Sequence, residues 1–338
     1  VNRIELTDKL KASGPFLVLA PLAEITHPAF RKLIDRQGGC DLFFTEMISS
    51  SAHLKGGPLE PWYIDPSPEP GRLIYQLVGS DPDEIVRAAL SLSRQKPAGI
   101  DINMGCSAPE IMKKGGGCAW MRKPEAAVRL VASVRDVLPG DVSLSVKMRL
   151  GEEEKPEELL RFGLALEKAG ADFLTLHPKT RKEKHSRPTR WEHVKTLRSA
   201  LTIPVIGNGH ITDYPIARKR MDETGCHGLM LGRQAVREPW IFKRISMDFS
   251  GRRESFTVDL FDLLVEFATL LIQNQPPEFY RTRAIRFSAW YYANLFWGHR
   301  LQTSDIMAIR HPDEMVEIYR RYFDTHPEER VKTILTSL

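Results

Sequence analysis

Eight short apolar runs, separated by amphipathic stretches, constrain this chain more than any other feature of it. They are FLVLA (16–20), LFFTE (42–46), LIYQL (73–77), GIDIN (99–103), SLSVKM (143–148), FLTLH (173–177), IPVIG (203–207) and GLMLG (228–232). Continuous apolar strands alternating with helices imply a parallel sheet covered by those helices. Eight such units within roughly 230 residues predict a closed (β/α)8 TIM barrel rather than an open doubly wound sheet. Beyond Arg244 the pattern changes, and 257–274, 278–297 and 313–323 read as helices with no strand between them. The expected organisation is a barrel domain over residues 1–248 and an all-helical domain over 249–338.

The runs stop on a consistent kind of residue: Glu46, Gln76, Asn103, Lys147, His177, Asn208 or Gly232. One polar residue at one strand end reads as a cap or a turn former. A full set, repeated around a barrel whose active face lies at the C-terminal strand ends, reads as a site. Cys106, in DINMGCSAPE just past the fourth run, joins that set.

Composition narrows the class of function. No apolar run reaches the roughly 20 residues that span a bilayer. The opening VNRIELTDKLKASG lacks the apolar middle of a signal peptide. Four cysteines, with no CxxC pair and no His-rich cluster, offer neither a disulfide framework nor metal-ligand spacing. A soluble, cytoplasmic protein with reduced thiols, no metal and no obligate protein partner is expected. Net charge is +5, which tilts weakly toward anionic partners. Its distribution says more. KTRKEKHSRPTRWEHVKTLR (179–198) carries eight Lys or Arg against two Glu, and RTRAIRFSAWYYANLFWGHR (281–300) carries four Arg among aromatics and no acid.

IPVIGNGHIT follows the seventh run and GLMLGRQAV ends the eighth. Barrels often bind phosphate between the loops after these two strands. Gly207, Gly209 and Gly232, with Arg233 beside the last, let a backbone approach such a group closely. GNGHIT has Thr212 where a dinucleotide fingerprint needs its third glycine, so a mononucleotide suits the cradle better, with FMN the leading candidate. Lys147 can stabilise negative charge on reduced flavin, Gln76 offers a donor and an acceptor to its pyrimidine edge, and APLAE (20–24) can floor the ring.

These residues together resemble the tRNA-dihydrouridine synthases along essentially the whole barrel. APLAEITHPAFR is similar to that family's opening signature, LFFTEM to its second strand and LIYQLVGSDP to its third. DINMGCSAPEIMKKGGGCAWM resembles its most diagnostic segment, and SVKMRLG, IPVIGNG and GLMLGRQAVREPWIF follow in the family's order. The resemblance implies an FMN enzyme that reduces uridine of folded tRNA to dihydrouridine with NADPH. It implies FMN contacts from Pro21, Leu22, Ala23, Gln76, Lys147, His177, Asn208, Gly209, His210, Gly232 and Arg233. Asn103 and Cys106 would face the substrate base. The sequence departs from the family at Ser107 (usually proline), Glu110 (often lysine), Lys179 (arginine) and His185 (tyrosine).

The implied chemistry adds hydride from flavin N5 to C6 of uracil and a proton to C5. An ordinary thiol, with a pKa near about 8.5, is a neutral donor at neutral pH, and Cys106 is the expected acid. A base in folded RNA must leave its stack first, which needs a second gripping surface. Lys179, His185, Arg281, Arg283 and Arg286 are the expected tRNA contacts. A small-molecule FMN reductase of the dihydroorotate or dihydropyrimidine type is the alternative, since a free pyrimidine needs no basic tail.

Overall fold

Alternation with period two decides how each apolar run is used. In the computed structural model, which describes residues 2–12, 14–183, 187–251, 254–298, 301 and 304–336, all eight runs are parallel strands. They are β1 (Phe16–Leu19), β2 (Leu42–Ser49), β3 (Leu73–Val78), β4 (Gly99–Met104), β5 (Ser143–Met148), β6 (Phe173–Leu176), β7 (Val205–Asn208) and β8 (Gly228–Leu231). Each pairs with the next in sequence, and β1 pairs with β8 from Phe16↔Gly228 to Leu19↔Leu231, closing the barrel.

One parity of side chains fills the inside. Val18, Phe44, Ile74, Phe173, Ile206 and Met230 form a cluster of their own, joined by Leu6 and Leu10 of the helix Arg3–Lys11. The other parity, including Leu17, Phe43, Tyr75, Ile100, Leu144 and Leu174, packs with the surrounding helices. Toward the C-terminal ends the inward positions turn polar: Ile74 is followed by Gln76, Phe173 by Thr175, and Ile206 by Asn208. A barrel with an apolar base and a polar mouth follows directly from that switch.

The surrounding helices begin where proline permits. Pro28, Pro82, Pro124 and Pro156 each open one within its first turn, where a missing N–H costs nothing. The tail is mostly helical, with Leu260–Asn274, Pro277–Tyr291 and Pro312–Thr325 as its long elements. It departs from the all-helical expectation in one respect. Ser255–Asp259 and Val331–Leu335 form a two-stranded antiparallel ribbon, so residues 257–259 are strand. The two segments, SFTVD and VKTIL, are rich in β-branched residues, and Asp259 caps the helix by accepting from the N–H groups of Phe261 and Asp262. The helix expected at 278–297 ends at Tyr291.

Aromatic rings join the tail to the barrel's helices. Phe267 stacks on Phe287 with centroids 3.9 Å apart, and Phe30, from the helix after β1, meets Phe287 edge-on at 6.3 Å. No helix among the described residues is long and apolar enough to cross a membrane.

Candidate active site

The polar strand ends open into a cavity of about 860 Å³, a size typical of cofactor and small-molecule sites. Twelve of the residues singled out from the sequence line it: Pro21, Leu22, Ala23, Asn103, Cys106, Lys147, His177, Asn208, Gly209, His210, Gly232 and Arg233. Met47, Arg149, Arg237, Trp290 and Tyr292 line it too and were not foreseen.

The thiol is held from below. Asn103 is the next-to-last residue of β4, and its Oδ1 accepts from the N–H of Gly105 at 3.1 Å and of Cys106 at 2.8 Å. The Cys106 carbonyl accepts from the N–H of Cys118 at 2.9 Å. That closure needs glycine at 117, where φ is +59° and a Cβ would lie 2.5 Å from the Cys106 oxygen. Cys106 ends half-buried, whereas Cys40, Cys118 and Cys226 are buried.

Two cations stand on β5 and just beyond it. Lys147 lines the cavity with its ammonium brought down to about 8, by burial first and then by the charge of Arg149. Arg149 is 8% exposed, and its guanidinium donates to the Thr180 carbonyl. On the far side of the sequence, Asn208 Nδ2 donates to the Met230 carbonyl at 2.7 Å, tying β7 to β8. The following Gly209 (φ +124°) and His210 (φ +53°) both take left-handed backbone, turning the chain sharply at the cavity's edge. Arg233, half-buried beside Gly232, lies over the Trp290 ring at 5.7 Å.

The Pro21–Ala23 loop is braced at both ends. The Ala20 N–H donates to Leu231, and the Thr26 hydroxyl accepts from the Leu22 N–H. Glu24, at φ +63°, donates its N–H to Glu46 Oε1.

Residues 18–316 match the sequence model of the family described as Dihydrouridine synthase (Dus). The chain belongs to the dihydrouridine synthase family. It is 34% identical over 241 residues to the "Probable tRNA-dihydrouridine synthase" of Aquifex aeolicus, covering 70% of this chain and 73% of that one. It is 36% identical over 232 residues to the "Probable tRNA-dihydrouridine synthase 1" of Synechocystis sp., covering 68% and 64%. To "tRNA-dihydrouridine synthase B" of Yersinia pestis it is 33% identical over 236 residues, covering 68% and 70%.

Several of the expected contacts lie elsewhere. Gln76 is fully buried, accepts from Asn103 Nδ2 and does not line the cavity. Lys179 is 1% exposed, so it is part of the interior and not of an RNA-facing surface. Arg283 is 3% exposed, paired with Glu46 Oε2 at 3.0 Å and stacked on Phe279 at 4.5 Å. It too is a buried group and no phosphate contact. Arg281 and Arg286 are exposed, with Arg286 paired to Glu24 at 2.7 Å. His185 lies outside the described residues.

Proposed function

We propose that this chain is a tRNA-dihydrouridine synthase, which reduces the C5=C6 bond of a uridine in tRNA using bound FMN and NADPH. One observation carries the reading: a half-exposed thiol, Cys106, held at the edge of a cavity that Lys147, Arg149 and Arg233 also line. The names of the relatives from Aquifex aeolicus ("Probable tRNA-dihydrouridine synthase") and Yersinia pestis ("tRNA-dihydrouridine synthase B") support the choice of substrate.

The residues present fit FMN. Pro21–Ala23 offer an apolar floor for a flat ring, and the Gly209 turn with Gly232 and Arg233 offers backbone and a guanidinium to a phosphate. Lys147 and His177 line the same cavity. When bound, FMN supplies the hydride donor that no side chain provides.

The chain's own groups do the rest. Cys106 gives its thiol proton to C5 of the uracil. Asn103 positions the base: its Nδ2 has two protons and Gln76 takes one, leaving a donor. Lys147 holds positive charge beside the ring. Residues 249–338, with the exposed Arg281 and Arg286, hold the RNA backbone while residues 1–248 do the chemistry. The setting is cytoplasmic, and neither a metal nor an obligate protein partner enters the reaction.

Purified protein should be yellow and release FMN on denaturation. Anaerobically reduced enzyme should be reoxidised by unmodified tRNA, leaving dihydrouridine in the RNA. Equally fast reoxidation by free uridine monophosphate would replace this reading with a small-molecule reductase. Colourless protein that takes up no FMN would end it.

A further inference from the structure

A line of side-chain hydrogen bonds runs from inside the barrel to the loop that carries Cys106. It starts at Asp101 on β4, which is fully buried. Asp101 Oδ1 accepts from Ser145 Oγ at 2.6 Å, and Oδ2 accepts from Gln76 Nε2 at 2.8 Å. Gln76 Oε1 accepts from Asn103 Nδ2 at 2.8 Å, and Asn103 Oδ1 accepts from the Gly105 and Cys106 N–H groups. Gln76, Asp101 and Ser145 are 0% exposed and Asn103 is 6% exposed.

Each link in this line has a direction, and the directions are not independent. An ionised carboxylate only accepts hydrogen bonds. Both Asp101 oxygens accept here, one from the Ser145 hydroxyl and one from the Gln76 amide, as an ionised carboxylate does, while burial pulls its carboxyl up to about 6. Gln76 must therefore turn its NH2 to Asp101 and its oxygen to Asn103. Asn103 must give its NH2 to Gln76, which leaves Oδ1 as acceptor for two backbone N–H groups. Turning either amide would set like against like, oxygen facing Asp101 or NH2 facing the Cys106 N–H. An unmatched polar group inside a protein is costly.

We infer that Asp101 is a positioning residue, which sets the polarity of the Gln76 and Asn103 amides and through them the place of the Cys106 thiol. It does not line the cavity, and its side-chain hydrogen bonds go to Ser145 and Gln76. Its consequence for uridine reduction rests on the function proposed above, but the positioning itself does not.

Reversing the line tests it. Asn103→Asp sets an acceptor against Gln76 Oε1. Gln76 then satisfies residue 103 only by turning its own oxygen onto Asp101. Adding Asp101→Asn supplies the missing donor, so the double variant keeps the total charge and the same links with both amide bonds reversed. The readout is alkylation of Cys106 by iodoacetamide in the purified holoprotein, followed by peptide mass. The other three cysteines are buried, so the label reports on this thiol.

Asn103→Asp alone should speed labelling about fivefold, the equilibrium worth of one neutral hydrogen bond. Adding Asp101→Asn should restore the rate to within roughly twofold of the parent protein. Labelling of the double variant as fast as that of Asn103→Asp alone overturns the inference. If Asn103→Asp does not fold, recovery of folded protein by the second substitution supports it and failure to recover overturns it. None of these readouts requires tRNA as substrate. Restored labelling in a protein whose parent never reduces tRNA would leave the positioning role standing and remove the proposed function.

Discussion

At the scale of single residues, the site is a matter of parity. Inward positions on β5 and its continuation are Ser143, Ser145, Lys147 and Arg149. The sequence marked Lys147 because it nearly ends the strand. The same step of two would have found Arg149. Gln76 was marked too, but a strand end says nothing about which neighbours its amide faces, here Asp101 and Asn103. Lys147 makes a prediction with a sign. Its pKa of about 8 means that its charge is present at neutral pH and lost as pH rises through 8. The rate of reoxidation by tRNA should fall over the same range, and Lys147→Met should remove that limb. Stability should move the other way. The unfolded lysine, near about 10.4, binds its proton more tightly than the folded one, so this group's contribution to stability rises with pH between the two values. A rate that stays flat past that range would show that the ammonium does not serve the reaction. For Cys106 the expectation is selective. Cys106→Ala should keep FMN and normal reduction by NADPH, yet slow reoxidation by tRNA about 10²–10⁴-fold. Single-turnover absorbance measures both halves, and parent-like reoxidation would reduce Cys106 to packing.

At the scale of elements, the strands were legible because each is buried on both faces, and the tail helices because their apolar residues recur every three or four positions. What misled was Arg283, read with Arg281 and Arg286 as one basic cluster. Tyr280, Ala284, Phe287 and Tyr291 form the buried stripe of helix Pro277–Tyr291, and Arg283 falls on it, three residues after Tyr280. The stripe is visible in the sequence, whereas the partner is not, since Glu46 is 237 positions away. The pair joins the tail to β2. Glu46 also receives the Glu24 N–H, so one carboxylate ties the helix to the loop that floors the cavity. Removing one member of a buried ion pair strands the other charge and typically costs about 3–5 kcal/mol. Arg283→Met should therefore lower the thermal midpoint markedly, while Arg286→Met, whose partner is solvated, should cost roughly 0–1 kcal/mol. Equal, small shifts for the two would deny Arg283 its structural role. FMN affinity should fall with Arg283→Met as well, because the Pro21–Ala23 loop loses its brace.

At the scale of the whole molecule, surplus positive charge matters only where it is exposed and not already answered. Much of the basic run after β6 is answered: Arg181 pairs with Glu152, Arg190 pairs with Glu154 and Glu183, and Lys179 is interior. Lys182, Arg187 and Lys195 remain exposed there, as do Arg281 and Arg286 on the tail. An RNA held by these groups displaces counterions, so the logarithm of its affinity should fall linearly with the logarithm of salt. Each phosphate contact removed should reduce that slope by about 0.7–1. Arg281→Ala with Arg286→Ala should therefore flatten it by less than about 2. The shortfall reflects Arg286, which must leave Glu24 before it can meet a phosphate. Arg283→Met should leave the slope unchanged at temperatures where the variant is folded, even where affinity drops. Filter binding of unmodified tRNA across a salt series reads all three cases. A slope that responds to Arg283→Met as strongly as to the exposed pair would mean that the helix turns its buried face to the RNA.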